Sequence, residues 1–404
     1  NTNIFVSGRK EISEGLISHI DGNFKNLDYK FYGSDISSQK RTRIFLEGNG
    51  GIEFKKLNKI NFSLNTGAKI GNLKDYGKVK ESGFFVNSEL KGYLGKHIIK
   101  GEVVFKKDYL NRDNKTENLQ YFNGGIGLSF LLLKDFLFRF GGNFYSYKNS
   151  DATTGSKFYP NAGFNLNLKK AGELFFNFNP RISSTSLSTM LQNNKYLVYN
   201  TPISFEDERI CINGGWRKTV SRNLTIELSG NYRTIENFGI YRLSDRCPEG
   251  ESCIISPRGR WEKYYNSKVN ATEFKCSVYF NPVQYLFLWF TTLYRKIDFA
   301  TDSNIKGNVP YIPDVEGDIL MIFYPGRGWE IRFDGTFMGK RYFDLNNMAE
   351  LKQFFIGNFC INKKINKNLE FSVSFYNIFN QKYYYWDGYL EPDLISAGGI
   401  KYYW

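Results

Sequence analysis

Leu369-Glu-Phe-Ser-Val-Ser-Phe-Tyr-Asn-Ile-Phe379 and the closing Ser396-Ala-Gly-Gly-Ile-Lys-Tyr-Tyr-Trp404 decide the fold. In the first stretch Leu369, Phe371, Val373 and Phe375 alternate with Glu370, Ser372, Ser374 and Tyr376. That is the period of two of a β-strand whose faces meet two different solvents. In the second, Ile400, Tyr402 and Trp404 share one face while Lys401 and Tyr403 share the other.

Composition bears on what the apolar solvent is. Aromatic residues are 18% of the 404, glycine contributes 38 and proline only 10, yet no apolar run approaches the length of a membrane helix. Such a helix needs roughly 18 apolar residues or more, so helical spanning is excluded. The mean hydropathy of -0.43 is that of a soluble chain. A transmembrane barrel has the same average, because half of each strand faces water. The alternation therefore carries the decision.

The alternation recurs in about 18 segments, within a range of 16 to 22, the first at 16–31 and the last at 395–404, with 173–182 and 328–342 among those between. Short turn signals separate them at Lys56-Leu-Asn-Lys59, Lys134-Asp135, Lys169-Lys-Ala-Gly172, Pro325-Gly-Arg-Gly328 and Asn362 to Lys367. Between these fall longer polar connections at 108–118, 183–203, 241–258 and 297–314. The prediction is an all-β chain: a transmembrane antiparallel up-and-down β-barrel with short periplasmic turns and longer extracellular loops. Residues 1–15 are expected to form an N-terminal periplasmic segment and 16–404 a single barrel. A soluble sandwich also alternates, but so many consecutive hairpins leave no second layer to cover the apolar faces.

Strand by strand, the apolar face collects sets such as Ile44/Leu46/Ile52/Phe54, Phe136/Phe138/Phe140/Phe144 and Trp329/Ile331/Phe333/Phe337. The opposite face takes the charges: Glu47, Lys69, Glu89, Lys91, Lys100, Glu102, Arg139, Arg209, Glu227, Arg233, Glu273, Lys275, Glu330, Arg332, Asp334, Lys340 and Lys401 are expected to line the lumen. A charge facing lipid at the midplane costs about 2–4 kcal/mol, which is the constraint behind this segregation. Aromatic clusters such as Tyr145/Tyr147, Tyr285/Trp289, Tyr342/Phe343 and Tyr383/Tyr384/Tyr385/Trp386 suit the two interfacial girdles.

The net charge is +14, with surplus cations at the short turns, including Lys55, Lys56, Lys96, Lys134, Lys169, Lys170, Lys363 and Lys364. A basic rim there suits anionic headgroups or an acidic periplasmic partner, while scattered cations without a binding motif argue against nucleic acid. Cys247 and Cys253, in Cys-Pro-Glu-Gly-Glu-Ser-Cys, have the spacing of a small loop disulfide. Cys211, Cys276 and Cys360 read as inert thiols. Two histidines, His19 and His97, and no carboxylate or cysteine spacing of a metal site leave no catalytic, cofactor or metal constellation. The chain is therefore not expected to be an enzyme.

The last hundred residues carry a resemblance. Tyr311-Ile-Pro313-Asp-Val, Met338-Gly339-Lys-Arg341-Tyr342, and Asn377-Ile-Phe379-Asn380-Gln-Lys-Tyr383, followed by a terminal strand ending in Trp404, resemble the closing part of a TonB-dependent receptor barrel. Ile378 stands where the family usually has Leu. The match covers about a quarter of the chain. The family implies 22 strands, an N-terminal plug and energised uptake of scarce nutrients, whereas only 15 residues precede the first expected strand. Only the barrel architecture carries over. The function expected is a transport channel or receptor-like barrel for a polar solute, embedded in outer-membrane lipid and occluded by its loops or by a periplasmic or lumen-occupying partner protein. The alternative is a structural anchor of an envelope complex.

Overall fold

The computed structural model describes residues 2–30, 40–57, 59–74, 78–112, 115–194, 196–198, 201–243, 261–300 and 307–402. Twenty strands form one sheet, and no helix among the described residues is long and apolar enough to cross a membrane. The chain divides into two compact units, one of residues 1–165, 177–212 and 234–268, the other of 166–176, 213–233 and 269–404.

In the first unit each strand pairs antiparallel with the next: β1 (Thr2–Ser13), β2 (Leu16–Lys30), β3 (Lys40–Leu57), β4 (Ile60–Lys74), β5 (Lys78–Leu94), β6 (His97–Arg112), β7 (Lys115–Leu133) and β8 (Phe136–Lys148). Tight turns at one end, such as Gly15 with φ +79° and Gly95 with φ +62°, use the left-handed conformation open to glycine. The chain continues through β9 (Thr154–Asn167), β10 (Glu173–Phe178), β11 (Arg181–Ser183), the helix α1 (Leu187–Asn193), β12 (Glu206–Ser221) and β13 (Leu224–Leu243).

The second unit holds the meander of β14 (Trp261–Val283), of which it takes the part from Val269, with β15 (Leu286–Phe299), β16 (Val315–Gly326) and β17 (Trp329–Met338). After a small ribbon of β18 (Arg341–Tyr342) and β19 (Glu350–Leu351), β20 (Phe354–Lys364) pairs with β17 and β21 (Leu369–Tyr376) with β20. A second ribbon, β22 (Tyr384–Trp386) and β23 (Tyr389–Leu390), precedes β24 (Ile395–Tyr402), which pairs with β21.

Burial is inverted relative to a water-soluble sheet. On β3, Ile44 and Leu46 are 40% and 49% exposed while Arg43 and Phe45 are 6% and 3% exposed. Phe140, Phe144, Leu228, Trp329 and Phe371 are exposed in the same way on their strands. An exposed apolar face opposite a sheltered polar one is the arrangement of a strand that crosses lipid.

Several expectations need correction. Residues 2–13 are a strand paired to β2 instead of a segment ahead of the sheet. Its consecutive Ile4, Phe5 and Val6, all exposed, hide the alternation. The polar connection expected at 108–118 is largely strand, because β6 runs to Arg112 and β7 begins at Lys115. The segment 173–182 splits into β10 and β11. The strand expected over 328–342 stops at Met338, since Gly339 lies so close to β16 that a Cβ there would meet Val315 O at 2.9 Å.

The inversion predicts that Leu46→Arg, near the middle of β3, lowers stability by about 2–4 kcal/mol in lipid vesicles. Asn49→Arg on the other face costs less. Equal losses in urea unfolding of the two variants contradict the facing assignment.

Candidate functional site: a segment folded onto the polar face

The described residues of 181–205, a stretch expected to be a plain loop at 183–203, fold back onto the polar face of their own unit. Ser186 caps α1, its Oγ accepting from Thr189 N at 3.3 Å. Leu187, Met190 and Leu191, at the i, i+3, i+4 spacing of one helix face, are 2%, 1% and 4% exposed. Leu197, Ile203 and Phe205 are buried as well, as are Val79, Leu110 and Leu119 on the strands. That helical spacing behind a serine cap is the signal by which the helix, missed in the sequence, could have been found.

Polar strand residues hold its backbone. Arg43 Nη2 donates to Ser188 O at 3.0 Å and Ser188 N donates to Glu81 Oε2 at 3.0 Å, so both backbone groups of one residue are clamped from two strands. Arg112 Nη1 donates to Thr201 O at 2.6 Å, Tyr121 Oη to Ile182 O at 3.2 Å and Lys106 Nζ to Ser184 Oγ at 2.9 Å. Glu81 also pairs with Lys69, which meets Asp108 at 3.0 Å. Between segment and strands lies a cavity of about 530 Å³, lined by Glu47, Lys69, Lys106 and Asp108 and by the hydroxyls of Ser184, Thr185, Ser186, Ser188 and Thr189.

The charged residues named from sequence form several local groups instead of one site. Lys100 bridges Glu89 at 2.8 Å and Glu102 at 2.7 Å, and Lys91 joins through Glu89. Glu273 receives Arg233 at 3.0 Å and Arg295 at 2.8 Å. Arg209 contacts Asp207 and Glu236, and Arg217 contacts Glu227. Arg332 pairs with Asp334 at 3.1 Å, Glu330 accepts from Asn362 at 3.0 Å, and Lys401 pairs with Glu370 at 3.5 Å. Arg139 donates to Asn165 and Asn177. Lys275 is exposed, and Lys340 lies past the end of β17, bridging to Glu350 at 3.4 Å. The exposed pairs among these, such as Arg332 with Asp334 and Lys340 with Glu350, are worth about 0–1 kcal/mol each, so they tune the face more than they hold it.

Two aromatic clusters sit elsewhere than in girdles. Tyr145, 4% exposed, packs with Tyr121, whose ring meets Phe205 at 5.8 Å. Tyr383 and Tyr385 surround Phe354, with Arg341 over the Phe354 ring at 5.2 Å. Burial holds the Arg341 guanidinium below its ordinary range and pushes both tyrosine hydroxyls up.

The residues that carry the family resemblance gather into a framework at the strand ends. Tyr311 N donates to Tyr342 O at 2.7 Å, its ring lies 4.5 Å from that of Trp386, and Pro313 is buried nearby in sequence. Arg341 Nη2 donates to Tyr384 O at 2.7 Å. Asn377, 3% exposed with φ +53°, donates from Nδ2 to Gln381 O and Pro392 O and accepts from Gln381 N. Asn380 Oδ1 accepts from Leu394 N, and Phe379 covers Gly357. Cys247, Cys253 and Trp404 lie outside the described residues. Cys211, Cys276 and Cys360 form no disulfide among the described residues.

No family model and no curated protein matches this sequence. Solved structures do match in fold. The ferric-catecholate import receptor Fiu of E. coli K12 aligns with a TM-score of 0.68 at 12% identity, over 99% of this chain and 74% of its own. The FrpB iron transporter of Neisseria meningitidis gives 0.72 at 12%, over 99% and 71%. The copper transporter OprC gives 0.64 at 9%, over 99% and 79%. By architecture the chain has the one large antiparallel up-and-down sheet of outer-membrane barrels. More narrowly, its fold is that of the TonB-dependent receptor barrels.

Two substitutions separate the clamp from the framework. Glu81→Gln leaves Lys69 with Asp108 alone and replaces the charged acceptor of the Ser188 amide by a neutral one, and losing a charge-assisted hydrogen bond costs about 1.5–3 kcal/mol. Faster amide exchange over 187–198, with the sheet unchanged, is the expected readout. Asn377→Ala instead loses several buried hydrogen bonds, about 1–3 kcal/mol for each group left unsatisfied. It should destabilise the 377–394 region and leave exchange over 187–198 as it was.

Proposed function

We propose that this chain is a transport barrel for a polar solute, with the polar face lining an aqueous path and the folded segment 181–205 narrowing it. The observation that carries the reading is the clamp of Arg43 and Glu81 on Ser188, which ties a buried helix to the face opposite the apolar one. A loop that served only to join two strands would not bury Leu187, Met190, Leu191 and Leu197. Water-filled barrels tune selectivity through the charges on their inner wall, and the mixed ion-pair groups of this face suit that role. The similar structures named above are transporters or receptors by their descriptions, which supports transport and leaves the cargo to this chain's own residues. In this reading the short turns and the end of β24 face the periplasm. The surplus cations at those turns then meet headgroups or an acidic partner.

Conductance in planar bilayers tests the proposal. Purified wild type should give small steps. Replacing Ser186–Thr201 by a short Gly-Ser linker should enlarge them several-fold. If both forms are silent, and other envelope proteins co-purify stoichiometrically, the barrel is an anchor and the transport reading fails.

A further inference from the structure

On the apolar side of the first unit, β4 to β6 carry cations where the apolar band ends. Lys74, Lys78 and Lys80 are exposed, whereas Leu73 and Val79 beside them are 3% and 1% exposed, so the three lysines share the face of Ile70 and Phe84. Lys107 stands directly across from Phe84 and joins the same face. Lys74 is paired with Lys78, and Lys80 is the next residue of that face along β5. Like charges directly opposite each other are destabilising. Among the described residues none of the four lysines meets a carboxylate. An anion held between them would relieve the repulsion.

The same face has a hollow of about 760 Å³ next to these lysines. Its lining includes Ile20, Leu46, Ile70 and Phe84, with Gly22 and Gly48, which pair across β2 and β3. Packing within the sheet does not require glycine at either position. A Cβ on Gly22 would meet nothing within 4 Å, one on Gly48 only the Asp21 carbonyl oxygen at 3.9 Å, and neither residue has a positive φ. The hollow is therefore room left open in a band whose surroundings are hydrocarbon. Ile70, at its edge, is two residues from Asn72, the partner of Lys80, and four from Lys74. At about 3.3 Å per residue the cations begin about 7 Å beyond the hollow. A single lipid, with its phosphate next to its chains, spans that interval.

We propose that this face binds one anionic lipid of the surrounding leaflet, with an acyl chain in the hollow and its phosphates among Lys74, Lys78, Lys80 and Lys107. The inference needs a sheet embedded in a bilayer but no conduction, so it stands or falls apart from the transport reading. With the short turns at the periplasm, the leaflet concerned is the outer one. Diphosphoryl lipid A and phosphatidylcholine, added separately to the delipidated barrel in detergent, test it by native mass spectrometry. Lipid A should be retained at one per barrel and phosphatidylcholine should not. Lys74→Gln, Lys78→Gln, Lys80→Gln and Lys107→Gln combined should weaken lipid A at least ten-fold. Gly48→Leu and Gly22→Val, which fill the hollow, should each do the same, with the heat-modifiable gel mobility of a folded barrel retained. Lys96→Gln with Lys134→Gln, at the short turns, should change nothing. No retention of lipid A, equal retention of phosphatidylcholine, an unchanged affinity in the four-lysine variant, or an equal loss in the turn variant overturns the site. An unchanged affinity in both glycine variants overturns the lipid assignment, since the phosphates alone would then account for binding.

Discussion

Hydrocarbon offers no partner to a backbone N–H or C=O, and the rest of this structure follows from that. A strand meets the demand only by pairing along its length, and a paired strand must then present alternate residues to lipid and to the other side. Ile44 and Leu46 lie open while Arg43 and Phe45 are sheltered, the reverse of what water on both sides would select. Within the apolar band most charges are thereby driven to one face. There the charges find each other: Lys100 between Glu89 and Glu102, Glu273 between Arg233 and Arg295.

This constraint also decides what was legible in the sequence. Leu369 to Phe375 alternates cleanly because both its solvents are uniform, and such segments give all but two of the 20 strands. Where the solvents change, legibility fails. Beyond the apolar band, β5 and β6 carry Glu81, Asp108 and Arg112, polar enough to pass for loop. They are strand residues because the segment 181–205 covers them, with Glu81 bonded to Ser188 and Arg112 to Thr201. That contact joins residues about a hundred positions apart, which no local period records. β1 is missed for the opposite reason, since Ile4-Phe5-Val6 is apolar on both faces.

The candidate site was legible only in its materials. The expected charges Glu47 and Lys69 do line the cavity beside α1, but the group also needs Glu81, Lys106 and Asp108 and the hydroxyls around Ser186, which arrive by folding back. The fine pairing was hidden as well. Glu89 stands directly across from Glu102 and Lys91 from Lys100, like opposite like, so that attraction runs diagonally through Lys100 to Glu89. Diagonal neighbours lie within reach of long side chains, and a register shifted by one residue would move these charges to the apolar face.

The residues that carry the likeness to the receptor family and those that could choose a solute are different sets. Gly339, Arg341, Asn377 and Asn380 fix how strands end: a glycine where β16 leaves no room for a Cβ, an arginine bonded to Tyr384 O, an asparagine holding Gln381 and Pro392. Such positions answer to backbone geometry, which any barrel of this fold must satisfy whatever it carries. The clamp on Ser188 answers to nothing in the apolar band or the strand ends. In the transport reading proposed above, selectivity is therefore to be read from the polar face, where the fold imposes least.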